Sequence, residues 1–199
     1  GSGTAEVIKG DSGANVLSGG NGADTIHGGS GNDFLGGQNV SASETASEHQ
    51  SRANDTDKTD NDTLYGDAGD DVLVGSYGDD TLDGGTGVDT IYTGGGSDTI
   101  VLRTGDGGST LAGADTITDF TDGTDVLGMD DGLQYTDLTI AQGTGDNVND
   151  TIISAGSEYL AILTGITASN VNYFDFASMA TGSQTLSGTS GDDVLIGAA

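Results

Sequence analysis

The sequence contains no cysteine, no proline and no tryptophan, and only 4 basic residues stand against 32 acidic ones. Without cysteine there can be no disulfide and no thiolate chemistry. The absence of proline fits a regular array of strands in which every backbone N–H is paired. No run of about 18 apolar residues is present, so we expect no membrane span, and we see no N-terminal signal peptide.

The formal net charge is −28, which opposes compaction unless the chain captures counter-ions. Such a charge argues against nucleic acid or an anionic membrane surface as a partner, because both need clustered Lys and Arg. Only 33% of the residues are hydrophobic and 5% are aromatic, so any core is thin. The expected charged partner is a cation.

A nine-residue repeat dominates the first half of the chain, with the form G-G-x-G-x-D-x-U-x, where U is aliphatic. Residues 10–18 carry Asn15 at the acid position, and residues 1–9 are a degenerate copy with Glu6 there. Three copies match fully and three more lack one glycine: 19–27, 28–36, 84–92, 66–74, 75–83 and 93–101.

One further copy is interrupted: Gly37 opens it and residues 61–65 close it. The polar stretch 38–61 between them has no apolar periodicity and cannot bury enough surface to order itself. We interpret it as a loop inserted into one turn, and we favour a tolerated surface insertion over a loop that contacts a partner.

The physical chemistry of the unit explains why it repeats an acid. The glycines permit the positive φ angles of a tight turn and leave carbonyl groups free to face a cation. The x-U-x part is a short strand with one inward side chain, and two units make one coil of a parallel β-roll. Units two apart then stack about 4.8 Å from each other. Calcium between neighbouring coils would replace the repulsion of the acids by coordination to oxygen.

The alternation of units predicts two rows of acid-position side chains. The first row is Asn15, Asp33, Asp71 and Asp89, and the second row is Asp24, Asp62, Asp80 and Asp98. Neighbouring members define about six inter-coil calcium sites, of which Asn15–Asp33 and Asp24–Asp62 should be the weakest. The turn glycines are expected to contribute carbonyl oxygens: Gly19, Gly22, Gly28, Gly31, Gly66, Gly69, Gly75, Gly78, Gly84 and Gly87.

The inward aliphatic residues form a core only one side chain wide. Such a core leaves the roll short of stabilisation, so we expect it to be largely unfolded without calcium and to fold on binding it. These residues are Leu17, Ile26, Leu35, Leu64, Leu73, Leu82, Ile91 and Ile100.

Over residues 10–101 the chain resembles the RTX family, whose calcium-binding nonapeptide repeats occur in proteins exported by the type I secretion machinery of Gram-negative bacteria. The resemblance implies an all-β fold, a parallel β-roll (a right-handed β-solenoid), with 1–101 as the roll. It also implies a C-terminal capping β segment, here 102–181, which the family needs for calcium-driven folding. A secreted or cell-surface location follows from the same resemblance.

Residues 112–129 are similar to the segment that follows the repeats in many RTX modules. Asp115, Asp119 and Asp125, together with Asp122, are dense enough to hold a further calcium, although solvated turn acids explain them equally well. Alternating patterns then predict four strands: 138–141, 150–154, 158–163 and 171–176.

Residues 182–199 return to the repeat, with Asp193 at the acid position. A single copy lacks a stacking partner, so it either begins another roll or adds a last strand to this one. We favour the first reading, which makes adjoining modules of the same chain its partners.

No catalytic motif is present, and the histidines, His27 and His49, lie outside any such pattern. We therefore predict a non-enzymatic, calcium-folded structural module of a larger secreted RTX protein, either an adhesin or an exoenzyme. One alternative is an accessory module that contacts polysaccharide, similar to the repeat modules of alginate epimerases. Another is an ice-binding roll, suggested by an outward threonine column: Thr25, Thr63, Thr81 and Thr99.

Overall fold

The computed structural model describes residues 4–38 and 60–179. The chain winds into a roll in which each coil adds one strand to each of two sheets. This arrangement confirms the predicted all-β parallel roll. Most of the predicted inserted loop and the whole of 182–199 lie outside the described residues.

The first sheet consists of parallel strands in the order β1-β3-β5-β7-β9-β11-β15. Their bounds are Val7–Lys9 (β1), Thr25–Ser30 (β3), Thr63–Ala68 (β5), Thr81–Asp83 (β7), Thr99–Leu102 (β9), Val126–Met129 (β11) and Phe176–Ser178 (β15). Within the repeats successive coils pair in register, because each of their strands begins at the same position of the nine.

The second sheet has the order β12-β13-β14-β10-β8-β6-β4-β2, parallel from β2 to β14 and antiparallel from β14 to β12. Its bounds are Val16–Ser18 (β2), Phe34–Gly36 (β4), Val72–Val74 (β6), Thr90–Tyr92 (β8), Asp115–Ile117 (β10), Leu138–Gln142 (β12), Thr151–Ala155 (β13) and Glu158–Leu163 (β14).

The core is a stack of single aliphatic side chains between the two sheets. Ile26, Leu64, Leu82 and Ile100 follow one another in register and are fully buried. Leu17, at the end of the second sheet, is only partly buried. Full burial of each aliphatic side chain contributes about 1.5–3 kcal/mol, so this narrow core stabilises every coil by a similar small amount.

Both sheets continue past the last repeat, since β10 pairs with β8 and β11 pairs with β9. The division into a roll, a capping segment and a further repeat therefore stays a prediction. Antiparallel strands β12 to β14 extend one sheet, and Tyr135 packs edge-on against Tyr173 and Phe176.

Three of the four strands predicted after residue 130 are present: 158–163 has the predicted ends, and the other two differ by one residue. The fourth prediction, 171–176, was wrong, because Tyr173–Asp175 forms a 3-10 turn and β15 begins only at Phe176. Asn172 accepts a hydrogen bond from the N–H of Phe174, and Asp175 accepts one from the N–H of Asn172. Short polar side chains that bond to the nearby backbone stabilise a turn at the expense of a strand.

Candidate metal centre

The aspartates of the repeat lie directly before the strands and are buried, with exposures of 0–3%. The structure places them in the two predicted rows, one along each edge of the roll. The first row is Asn15, Asp33, Asp71 and Asp89, and the second row is Asp24, Asp62, Asp80 and Asp98.

Each row is held by a ladder of hydrogen bonds between coils. The backbone N–H of one acid-position residue donates to Oδ1 of the next, as Asp24 does to Asp62 at 2.7 Å. Along both rows the donor–acceptor distances lie between 2.6 and 2.9 Å. Glu6 begins the second row in the same way, donating to Asp24 at 2.8 Å, so the degenerate first copy is in register.

The second oxygen of each aspartate is buried and lacks a hydrogen-bond partner within the part of the chain that the structure describes. These atoms are Oδ2 of Asp24, Asp33, Asp62, Asp71, Asp80, Asp89 and Asp98. A buried carboxylate oxygen without a partner is costly, and the cost is removed by a paired cation. Their recurrence at one position of the repeat indicates a shared ligand rather than isolated defects.

The ligand would fit beside the first residue of each unit, which is glycine in most units. We call these residues the row glycines. A Cβ built on Gly28 would lie 2.5 Å from Asp33 Oδ2 and 2.6 Å from the carbonyl oxygen of Gly66 in the next coil. A carboxamide or carboxylate oxygen and a carbonyl oxygen converge in the same way at Gly10, Gly19, Gly28, Gly37, Gly66 and Gly75. Only glycine leaves the space between these oxygens open.

A second set of turn glycines has a packing role. Gly69 has a φ of 141°, and a Cβ there would collide with the carbonyl oxygen of Gly31 in the preceding coil. Gly22, Gly31, Gly78 and Gly87 likewise have positive φ and lie against the coil below. Whether any of this second set also contributes a ligand oxygen stays a prediction.

The donor set fits calcium. The converging atoms are all oxygens, and the rows combine carboxylates with backbone carbonyls, as hard cations with 6–8 oxygen ligands require. Within 4–38 and 60–179, no three His, Cys, Asp or Glu side chains group around one point. Any cation here would therefore depend on the carbonyl groups as well as on the rows.

Burial raises the pKa of six row aspartates: Asp24, Asp62, Asp71, Asp80, Asp89 and Asp98. Desolvation is the main cause, and the neighbouring acids of the row add to it, while the hydrogen bond from the preceding coil opposes it. The pKa is about 7 for Asp62 and Asp89, and about 9 for Asp80 near the middle of its row. Without a cation, Asp80 in the folded second row therefore favours its protonated form at neutral pH.

The family model for the RTX calcium-binding nonapeptide repeat matches residues 1–35, 57–76, 74–108 and 180–199, just over half of the chain. This chain belongs to the RTX repeat family. Its repeats are thus calcium-binding repeats, as the two rows of unpartnered oxygens require. None of the described helices has the length and apolar character needed to cross a membrane.

Two solved structures are similar to the RTX chain. The extracellular lipase LipA from Serratia marcescens is 17% identical with a TM-score of 0.42, covering 88% of this chain and 38% of the lipase. The AlgE6R3 subunit of the Azotobacter vinelandii mannuronan C5-epimerase is 21% identical with a TM-score of 0.37, covering 98% and 94%. This chain thus spans well under half of the lipase's length. No curated protein matches it.

The acids after the RTX repeats do not form the single site that the sequence suggested. The N–H of Asp89 donates to Asp115 Oδ1 at 2.9 Å, so Asp115 extends the first row. The N–H of Asp98 donates to Asp125 Oδ1 at 3.1 Å, so Asp125 extends the second row. Asp119 also lies at the end of the second row. The prediction of one calcium site shared by Asp115, Asp119 and Asp125 was therefore wrong, because Asp115 lies at the opposite edge of the roll from the other two.

The sequence carries a signal for the strands of these two extra rungs, although not for the coil that each acid meets. Asp115-Thr116-Ile117 and Asp125-Val126-Leu127 keep the D-x-U part of the RTX unit without its glycines. Both triplets continue into strands β10 and β11 as the repeats do.

A second, outer ladder was missed altogether. In the later units the residue before the RTX acid also bonds between coils, but in the opposite sense: the N–H of Asp79 donates to Asn61 Oδ1 at 3.0 Å, and the N–H of Ser97 donates to Asp79 Oδ1 at 2.8 Å. The equivalent bonds in the first row join Asp70 to Asn32 and Val88 to Asp70. The Asn and Asp residues at this position therefore have a stacking role.

Arg103 supplies a cation of the chain's own. Its guanidinium pairs with both carboxylate oxygens of Asp83, lies 3.0 Å from Asp106 and lies 3.6 Å from Asp130. The network joins β7, the loop after β9 and the end of β11. It gives these three acids, which lie outside the RTX rows, one positive charge that does not come from a metal.

Proposed function

We propose that this chain is a non-catalytic, calcium-folded structural module of a larger secreted bacterial protein, either an adhesin or an exoenzyme. The observation that carries the proposal is the pair of rows in which seven buried Oδ2 atoms lack partners in the described chain. Repetition of one unsatisfied oxygen along a roll is the expected trace of a repeated cation. A catalytic site would instead need a set of different side chains that comes together at one place in the molecule.

Calcium in this proposal supplies positive charge and the missing ligands of the row oxygens. The row side chains and the carbonyl groups beside the row glycines would hold about six ions. The six positions where two oxygens converge in the described residues support this number. The chain's own part is to bring the oxygens together by stacking its coils.

The charge of the rows makes folding of the module depend on the calcium concentration. In the low calcium of the cytosol the acids repel one another, and the chain stays extended and suited to passage through the type I secretion machinery. Extracellular calcium modules bind at about 10⁻⁴–10⁻³ M, so millimolar external calcium fills the sites and the roll closes. Secretion and folding would thereby be separated by the membrane that the chain crosses.

The exposed charge argues for calcium as the main partner rather than direct contact with an anionic polysaccharide. The described segments contain the basic residues Lys9 and Arg103, and Arg103 is engaged by three aspartates. A bound polyanion would therefore be repelled by many acidic side chains, with few free basic side chains to offset the repulsion. A polysaccharide could be held only through calcium.

The test is a calcium titration of the whole chain, followed by far-UV circular dichroism and by equilibrium dialysis of the ion, with magnesium as the control. We expect a cooperative gain of β signal near millimolar calcium, reversed by EGTA and absent with magnesium. A chain that is fully folded in EGTA and binds no calcium would overturn the proposal. Turnover of an ester or a polysaccharide by the chain alone would overturn its non-catalytic part.

A further inference from the structure

Thr93 occupies a position that is glycine in most other units, the first of the nine. At Gly75, one coil earlier in the second row, a Cβ would lie 2.5 Å from Asp80 Oδ2 and 2.5 Å from the carbonyl oxygen of Thr93. Thr93 carries the Cβ that Gly75 lacks, together with a hydroxyl and a methyl group. Its side chain is fully buried.

The hydroxyl of Thr93 lies between the two acids at the end of the second row. Its Oγ1 is 3.2 Å from Asp119 Oδ1 and 3.3 Å from Asp125 Oδ2. Asp125 Oδ2 also accepts a hydrogen bond from the N–H of Thr121 at 2.8 Å. The oxygens of Asp119 and Asp125 therefore have protein donors, whereas Oδ2 of Asp98 in the same rung is buried and has no partner in the described residues.

Asp119 takes the place of the backbone carbonyl groups that the turn of another repeat would supply. In the second row, the N–H of Gly19 donates to the carbonyl of Gly36, and the N–H of Gly20 donates to the carbonyl of Gly37. At the row's end, the N–H of Thr93 donates to Asp119 Oδ1 at 2.8 Å and the N–H of Gly94 donates to Asp119 Oδ2 at 3.0 Å. One carboxylate thus takes the place of two backbone carbonyls.

We propose that Thr93 is the residue that closes the last rung of the second row to calcium. The oxygens of a further site are present around it, from Asp98, Asp119 and Asp125, but the side chain of Thr93 fills the gap that a row glycine leaves open. The inference rests on the proposed calcium function. In this inference Thr93 and Asp119 form a hydrogen-bonded end to the second row, and Thr93 thereby limits the number of ions that this row binds.

The first row provides an internal comparison. Its last unit keeps glycine at the same position, and a Cβ on Gly84 would collide with Asp89 Oδ2. The corresponding acid beyond it is Asp115. At this position of the last unit the two rows therefore differ, with Gly84 in the first row and Thr93 in the second.

The experiment counts calcium ions per chain after equilibrium dialysis, for the wild type and for Thr93→Gly, Thr99→Gly and Asp119→Asn. Thr99 directly follows Asp98 on strand β9 of the same coil and is only partly buried, so its variant controls for the general loss of stability on replacing Thr by Gly in this coil. We expect one additional ion in Thr93→Gly and the wild-type number in the other two. Circular dichroism in calcium confirms that each variant is folded.

Two results would overturn the inference: a folded Thr93→Gly chain with the wild-type ion count, or an Asp119→Asn chain that binds one ion fewer than the wild type. The second result decides the question even if Thr93→Gly fails to fold. A wild type that binds no calcium would instead overturn the proposed function, so the two failures are distinguishable.

Discussion

The backbone N–H of Asp62 donates a 2.7 Å hydrogen bond to Oδ1 of Asp80 in the next coil, while Oδ2 of Asp80 is buried and has no partner in the described residues. One carboxylate thus serves two purposes. Its first oxygen fixes the stacking of the coils, and its second is left for a cation. Because every row aspartate repeats this division, stacking and calcium binding are coupled along the whole roll.

Removing the charge of Asp80 should weaken calcium-driven folding. Asp80→Asn keeps an oxygen that can accept from Asp62 but loses the anion, and Asp80 borders two of the proposed sites. We expect the calcium midpoint to rise about tenfold, which corresponds to about 1.4 kcal/mol. Circular dichroism against free calcium measures it. Asp79→Asn, beside it on the exposed outer ladder, is the matched control, and an equal shift in both variants would contradict the assignment.

Filling the space beside a row glycine should be as damaging as removing an acid. In Gly28→Ala the new methyl group would meet Asp33 Oδ2 and the carbonyl oxygen of Gly66. We expect a loss of about 1–3 kcal/mol in the free energy of unfolding in calcium, as overpacking costs elsewhere, and weaker binding of calcium.

The control for this prediction is Gly95→Ala. There the nearest atom to the new Cβ is Tyr77 Cδ1 at 3.5 Å, which is ordinary contact. Urea unfolding in saturating calcium compares the two variants. Equal stability of Gly28→Ala and the wild type would mean that the oxygens beside Gly28 do not need the open space.

The metal-free chain should fold better in acid than in base. Burial raises the pKa of Asp62 and Asp89 to about 7 and that of Asp80 to about 9. A group whose pKa rises on folding stabilises the fold fully below its unfolded pKa, which is about 4, and this contribution disappears as the pH rises through the folded pKa. We therefore expect β structure at pH 4 that is lost between about pH 6 and pH 9 in calcium-free buffer.

In the presence of calcium, a rise in pH should favour folding rather than oppose it. Protons and calcium compete for the same carboxylate oxygens, so the calcium midpoint falls as the pH rises. Circular dichroism at several pH values, with and without calcium, measures both trends. A metal-free chain with no more β structure at pH 4 than at pH 9 would refute the protonation argument.

Loss of Arg103 should destabilise the protein without changing its calcium content. Arg103→Met leaves the carboxylates of Asp83, Asp106 and Asp130 without their cation, and breaking a buried pair costs about 3–5 kcal/mol, the upper limit for this partly exposed network. Urea unfolding in saturating calcium measures the loss, with Lys9→Met as the control. A changed number of bound calcium ions in Arg103→Met would contradict the prediction, because it would show that the Arg103 network and the rows are coupled.

Much of this protein follows from the nine-residue period alone. Each coil is built from local turn and strand geometry, so a spacing of 18 residues places Asp62 beside Asp80 and Leu64 beside Leu82 without any long-range information. The roll, the rows and the aliphatic stack could therefore be predicted. The buried, unpartnered state of each Oδ2 became visible only once the coils were stacked.

Only the tertiary structure decided what happens at the end of the rows. Beyond Val101 the spacing changes to 26 residues between Asp89 and Asp115 and 27 between Asp98 and Asp125, so no period predicts which acid meets which coil. The same holds for Asp119, which completes hydrogen bonds of a distant turn. A repeat fixes contacts because identical units stack on one another; where the units differ, long-range packing determines which residues meet.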